Sequence, residues 1–113
     1  MEIDTPLPLS ETTLLILLSL SSGPKHGYAI LKQVEALSDE RVLFSTGTLY
    51  GAIKRLLDND WIERVEDPLP NDTDRQRKAY SLTEQGRRLL NAEIGRMQEL
   101  VALAPRQAGE GVL

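Results

Sequence analysis

The sequence predicts a mainly α-helical fold with one small β-hairpin, and three observations predict it. Residues 10–59 hold three stretches of helical hydrophobic spacing joined by short breaker clusters. Residues 61–82 hold two strand-like runs on either side of a stretch rich in Pro, Asn and Asp. Beyond Thr83, apolar residues recur at intervals of four and three, the spacing of a helix with one greasy seam.

The first eight residues, MEIDTPLP, carry two prolines and no period, and read as a flexible arm. Ser10 is placed to cap the first helix, and Glu11 suits the positive end of its first turn. Leu14, Leu15, Ile16, Leu17 and Leu18 make that helix apolar all round, which predicts a buried core helix. The breaker cluster SSGPK ends it. In the second helix, HGYAILKQVEALS, the apolar repeat is Tyr28, Leu31, Val34 and Leu37. His26 and Tyr28 lie at its start, where backbone N–H groups point outward and anions bind well. Val42, Leu43 and Phe44 read as a short extended link.

The third helix follows, capped by Ser45 or Thr46. At about 100° per residue, Leu49, Ala52, Ile53, Leu56 and Leu57 gather on one face. Gly47, Gly51, Lys54, Arg55 and Asp58 gather on the other, with Thr48 and Tyr50 on the flanks. Each glycine costs the helix roughly 1 kcal/mol relative to alanine. A helix that accepts this loss usually needs its backbone to come close to something. Short hydroxyls, a tyrosine and two cations beside bare backbone suit phosphates and base edges in a DNA major groove. A plain solvent face with two incidental glycines is the alternative reading.

After Asn59 the period changes. Trp61 to Glu66 approximate strand alternation, Asp67 to Gln76 read as a long hairpin loop, and Arg77 to Leu82 as the return strand. Three tightly linked helices and then a hairpin make a winged helix-turn-helix over residues 9–82, whose third helix would read the groove. Arg75, Arg77 and Lys78 cluster where such a wing lies along the DNA backbone, although Asp72 and Asp74 beside them favour a solvated turn.

Thr83 caps the last helix, which is predicted to stop at Pro105. Leu90, Ile94, Met97, Val101 and Ala104 form its seam. Hiding a large side chain contributes on the order of 1.5–3 kcal/mol, so a second copy of the chain is the economical cover. Residues 83–105 are thus expected to be a dimerisation helix and 106–113 a disordered tail.

The 113 residues suffice for one small domain. No cysteine is present and His26 is the only histidine, so neither a disulfide framework nor a cysteine or histidine metal cluster is expected. No apolar run is long enough to span a membrane, and the acidic, proline-bearing start is not a signal peptide, which predicts a cytoplasmic protein. The net charge of −4 counts against a general nucleic-acid coat but permits a sequence-specific binder with its cations on one face. No nucleophile–base pair, no carboxylates paired on one face and no phosphate-cradling glycine loop stand out, so neither an enzyme nor a cofactor is predicted.

The strings LLILLSL, GPKHGYAIL, STGTLYGAIKRL, DWIERVED and RKAYSLTEQGRRLL together resemble the PadR family of bacterial transcriptional regulators, over roughly residues 9–104. The resemblance implies a homodimeric winged-helix repressor of the short kind, with one dimerising helix. It also implies a palindromic operator and, in many relatives, a small hydrophobic effector. The expected DNA contacts are Ser45, Thr46, Thr48, Tyr50, Lys54 and Arg55 from the third helix. Lys25, Tyr28, Arg75, Arg77 and Lys78 are expected along the backbone. The competing expectation is a winged module that binds proteins and has lost DNA, motivated by the acidic balance and by Asp58 on the outer face.

Overall fold

The structure is a computed structural model that describes residues 7–66 and 78–108. Its elements are α1 (Glu11–Leu20), β1 (Lys25–His26), α2 (Gly27–Leu37), α3 (Thr46–Asp58), β2 (Ile62–Val65), β3 (Ala79–Leu82) and α4 (Glu84–Ala108). Mainly α with a small antiparallel sheet is therefore the fold, as the sequence predicts. The expected hairpin loop, Asp67 to Gln76, lies outside the described residues.

Three helix starts follow from their hydroxyl caps. Ser10 accepts from the Thr13 N–H at 3.1 Å, Ser45 from the Thr48 N–H at 3.1 Å, and Thr83 from the Gly86 N–H at 2.9 Å. Each satisfies a backbone donor that the first turn leaves without a partner, an effect typically worth about 1 kcal/mol. The helices then bury one shared core. Ile16, Leu17 and Leu20 of α1 meet Ile30 and Val34 of α2, Leu49, Ile53 and Leu56 of α3, and Ile62, Tyr80 and Leu82 of the sheet.

Several expectations need correction. The buried face of α2 is Gly27, Ile30 and Val34, whereas Tyr28 and Leu37 are exposed. Tyr28 sits about 200° around the helix from Ile30, and Leu37 ends the helix, past the reach of its neighbours. Ser38 is buried instead, and its hydroxyl donates to the Val34 carbonyl at 2.9 Å and accepts the Val42 N–H at 3.0 Å. Val42 to Phe44 lie in the link between α2 and α3, where they were expected, and join no strand. The sheet has a third strand that the sequence did not announce, β1, with the order β1-β3-β2 and every pair antiparallel. The helix α4 does not stop at Pro105 but continues to Ala108. Proline removes the hydrogen bond to the Val101 carbonyl and its ring crowds that carbonyl, a cost that is tolerated near the exposed end of the helix, where water can reach the freed group.

Candidate nucleic-acid interface

The core-facing side of α3 is occupied by Leu49, Ala52, Ile53 and Leu56, and this fixes what the other side presents. Ser45, Thr46, Gly47, Thr48, Tyr50, Gly51, Lys54 and Arg55 are all exposed. Apart from the backbone of its own helix, no atom of the described residues lies within 4 Å of where a Cβ on Gly51 would stand, and only the Ser45 hydroxyl, at 3.9 Å, comes near that of Gly47. The two glycines therefore bare a strip of backbone one turn apart on the outer face. Nothing among the described residues accounts for them.

The polar groups of this face are partly engaged. The Ser45 hydroxyl caps the helix and donates to the Thr48 hydroxyl at 3.2 Å. Lys54 reaches Asp58 at 3.4 Å, and Arg55 donates to the Gly51 carbonyl at 3.4 Å. With both ends of the Lys54–Asp58 pair exposed, it is weak and readily exchanged for a phosphate. Between α3 and the sheet runs a cleft of about 630 Å³, in which Asp58, Asp60 and Glu63 outnumber Lys54 and Arg64. Its acidic lining marks where the cationic surface ends.

The unforeseen strand β1 extends that surface. Lys25 pairs with Tyr80 and His26 with Ala79, which brings Lys25 and the exposed Lys78 to the same end of the sheet. Lys25 is half-buried and donates to the Ser22 hydroxyl at 2.9 Å. His26 Nδ1 lies 3.4 Å from the Lys78 carbonyl. Tyr28, one residue into α2, is 69% exposed, with the Lys32 ammonium 5.8 Å from its ring centre. Arg75 and Arg77 lie outside the described residues. Tyr50 joins the two parts, because its ring and hydroxyl stand against Gly27, the first residue of α2.

Of the residues expected to form a seam on α4, Leu90 is turned inward. Leu90 is 2% exposed and belongs to the chain's own core, because the first turns of α4 pack on β3 and α1. It has no surface left for a partner. Ile94 is half-buried, and Met97, Leu100, Val101, Leu103 and Ala104 are exposed. The α1 helix is not fully buried either. Leu14 and Leu18 join Ile94, Met97, Gln98, Val101 and Ala102 around an almost wholly apolar groove of about 420 Å³. Apolar runs in α1 thus serve both a core and a surface, a division that an all-round hydrophobic helix cannot show in its sequence.

One residue before Ile94 on α4 stands a buried carboxylate that the sequence did not single out. Glu93 takes two hydrogen bonds from Arg96, at 2.7 and 3.0 Å, and one from the Leu9 N–H at 3.0 Å. The Arg96 guanidinium holds this carboxyl below the usual carboxylate range, and the Leu9 N–H adds to it, while burial opposes both. Glu93 thereby ties the approach to α1 onto α4. Glutamate followed three residues later by arginine was the only sequence signal, and it is common on plain solvent faces.

Comparison with known proteins agrees with this architecture. The sequence profile described as the transcriptional regulator PadR-like family matches residues 16–92. An uncharacterized 37.1 kDa protein in transposon TN4556 of Streptomyces fradiae is 36% identical over 91 residues, and the chain spans 24% of that protein's length. Among solved structures, a Streptococcus transcriptional regulator superposes with a TM-score of 0.72 at 20% identity, covering 94% of this chain and 100% of that one. A PadR family transcription regulator from Clostridium difficile gives 0.70 at 24% identity, covering 88% and 100%. Bacillus subtilis PadR, solved in complex with operator DNA, gives 0.63 at 23% identity, covering 73% of this chain and 45% of that one. At such identities the structural likeness speaks for the fold alone.

Proposed function

The chain belongs to the transcriptional regulator PadR-like family, and from that premise we propose that it is a homodimeric, sequence-specific DNA-binding regulator that represses from a palindromic operator. The observation that carries the reading is the outer face of α3. It combines bare backbone at Gly47 and Gly51, exposed Thr46, Thr48 and Tyr50, and the cations Lys54 and Arg55 on one turn-spaced surface. In this reading α3 enters the major groove, while Lys25, Tyr28 and Lys78 hold the backbone, joined there by Ser45 at the helix start, and Arg75 and Arg77, outside the described residues, are proposed to add to them.

Residues 9–82 then form the reading domain and α4 the dimerising element. The groove formed by Leu14, Leu18, Ile94, Met97 and Val101 is covered by the α4 of a second copy. Val101, 70% exposed, and Leu100, 52% exposed, are stranded in a monomer. A dimer of this kind presents two copies of α3 to successive major grooves, about 34 Å apart. A small hydrophobic effector at the edge of the same apolar groove is the proposed release signal, since about 420 Å³ lies within the size range of small-molecule sites.

The test is a mobility shift on DNA from the region upstream of the protein's own gene. The expected result is a discrete complex that Lys54→Ala with Arg55→Ala abolishes, while sedimentation still reports a dimer. Failure to bind that DNA at low salt points instead to a protein-interaction module. Binding that survives the double substitution removes α3 from the reading.

A further inference from the structure

We infer that Gly27 is a positioning residue for Tyr50, and that the bare Cα at the start of α2 sets the angle at which this tyrosine is offered to DNA. The inference rests on the DNA-binding reading above. Gly27 is buried as the first residue of α2 and shows no positive φ. Its backbone therefore has no conformational need of glycine, and alanine at a helical position with ordinary angles is normally the more stable choice. The need is for space. A Cβ on Gly27 would overlap the Tyr50 hydroxyl, would stand 2.7 Å from Cζ and would come within 3.1 Å of Cε1.

Tyr50 is 45% exposed. One part of its side chain rests on α2 and the rest faces outward, on the flank of the helix that carries Lys54 and Arg55. A tyrosine side chain has two rotatable torsions, so one firm contact far from the Cβ removes most of its freedom and presents the ring already oriented. The far end of the side chain is what a Cβ would strike. Tyr50 can swing out to solvent, so Gly27→Ala leaves the fold intact and displaces the tyrosine.

The experiment is a double-mutant cycle on the intact protein, read by fluorescence anisotropy with a labelled upstream DNA fragment and, in parallel, by thermal melting. Tyr50→Ala is expected to weaken binding about tenfold or more, the size of one good groove contact. Gly27→Ala is expected to weaken it by a comparable factor. In the Tyr50→Ala background, Gly27→Ala is expected to change affinity by less than about twofold and to raise the melting temperature, because the two changes act through one contact. A cycle in which the two losses multiply, or a Gly27→Ala protein that binds like wild type, overturns the positioning role and leaves the DNA reading standing. A wild-type protein that does not bind the fragment at low salt overturns both.

Discussion

Replacing Gly51 by alanine should move stability and DNA affinity in opposite directions. The position is mid-helix and exposed, and beyond its own helix backbone nothing among the described residues lies within 4 Å of the new Cβ. Inside the molecule the substitution therefore removes only the entropic penalty of glycine in a helix, about 0.5–1 kcal/mol per chain. For a chain of this size, that corresponds to a melting temperature about 2–6 °C higher. The Arg55 bond to the Gly51 carbonyl uses backbone and survives. On DNA the same methyl group stands where the account places a close approach of backbone to the groove. It should hold the reading helix off and weaken binding about tenfold or more, by loss of about one to two groove contacts. Calorimetric melting and an anisotropy titration at matched salt measure the two effects on one preparation. A Gly51→Ala protein that melts higher yet binds as tightly as wild type refutes the reasoning, and leaves the exposed glycines as incidental features of a solvent face.

Three further outcomes follow from the packing. Gly86→Ala should destabilise the fold by about 1–3 kcal/mol or more, because its Cβ would overlap the Trp61 carbonyl, a backbone atom that already accepts the Thr83 N–H at 3.1 Å; chemical denaturation measures it. Glu40 holds φ 63, a conformation that costs a residue with a side chain about 1–2 kcal/mol, so Glu40→Gly should raise the denaturation midpoint. For Glu93 the folded carboxyl titrates below its ordinary 4.5. The stability it contributes should therefore be fully present above that pH and should fall as pH drops through the lower folded value. Acid melts of wild type against Glu93→Gln should show a shallower decline for the variant.

Much of the fold could be read from the chain, for identifiable reasons. Ser10, Ser45 and Thr83 mark helix starts because a hydroxyl cap is a local device needing no tertiary context. The α3 face was legible because four core contacts at helical spacing leave a single phase open. What escaped was set by neighbours. In α2 the aromatic ring of Tyr28 satisfies one phase on paper, but contact with α1 and α3 selects Ile30 and Val34. The strand β1 has two residues, too few to show alternation, and exists only because β3 offers an edge. Leu90 fits both the seam and the core, and only the docking of α4 decides between them. Gly27 and Gly86 carry their reason in atoms of Tyr50 and Trp61, distant in sequence. The candidate site was accordingly clearest on α3 and poorest where separate elements meet.

The central claim is that two copies of the chain, joined through α4, lay two α3 helices on one duplex. Sedimentation equilibrium of the protein with a short upstream duplex, repeated over a series of salt concentrations, tests it most directly. The predicted result is two chains per duplex, with a log–log slope of affinity against salt near about −5, from about three phosphates engaged by each half. One chain per duplex, or an affinity indifferent to salt, contradicts it.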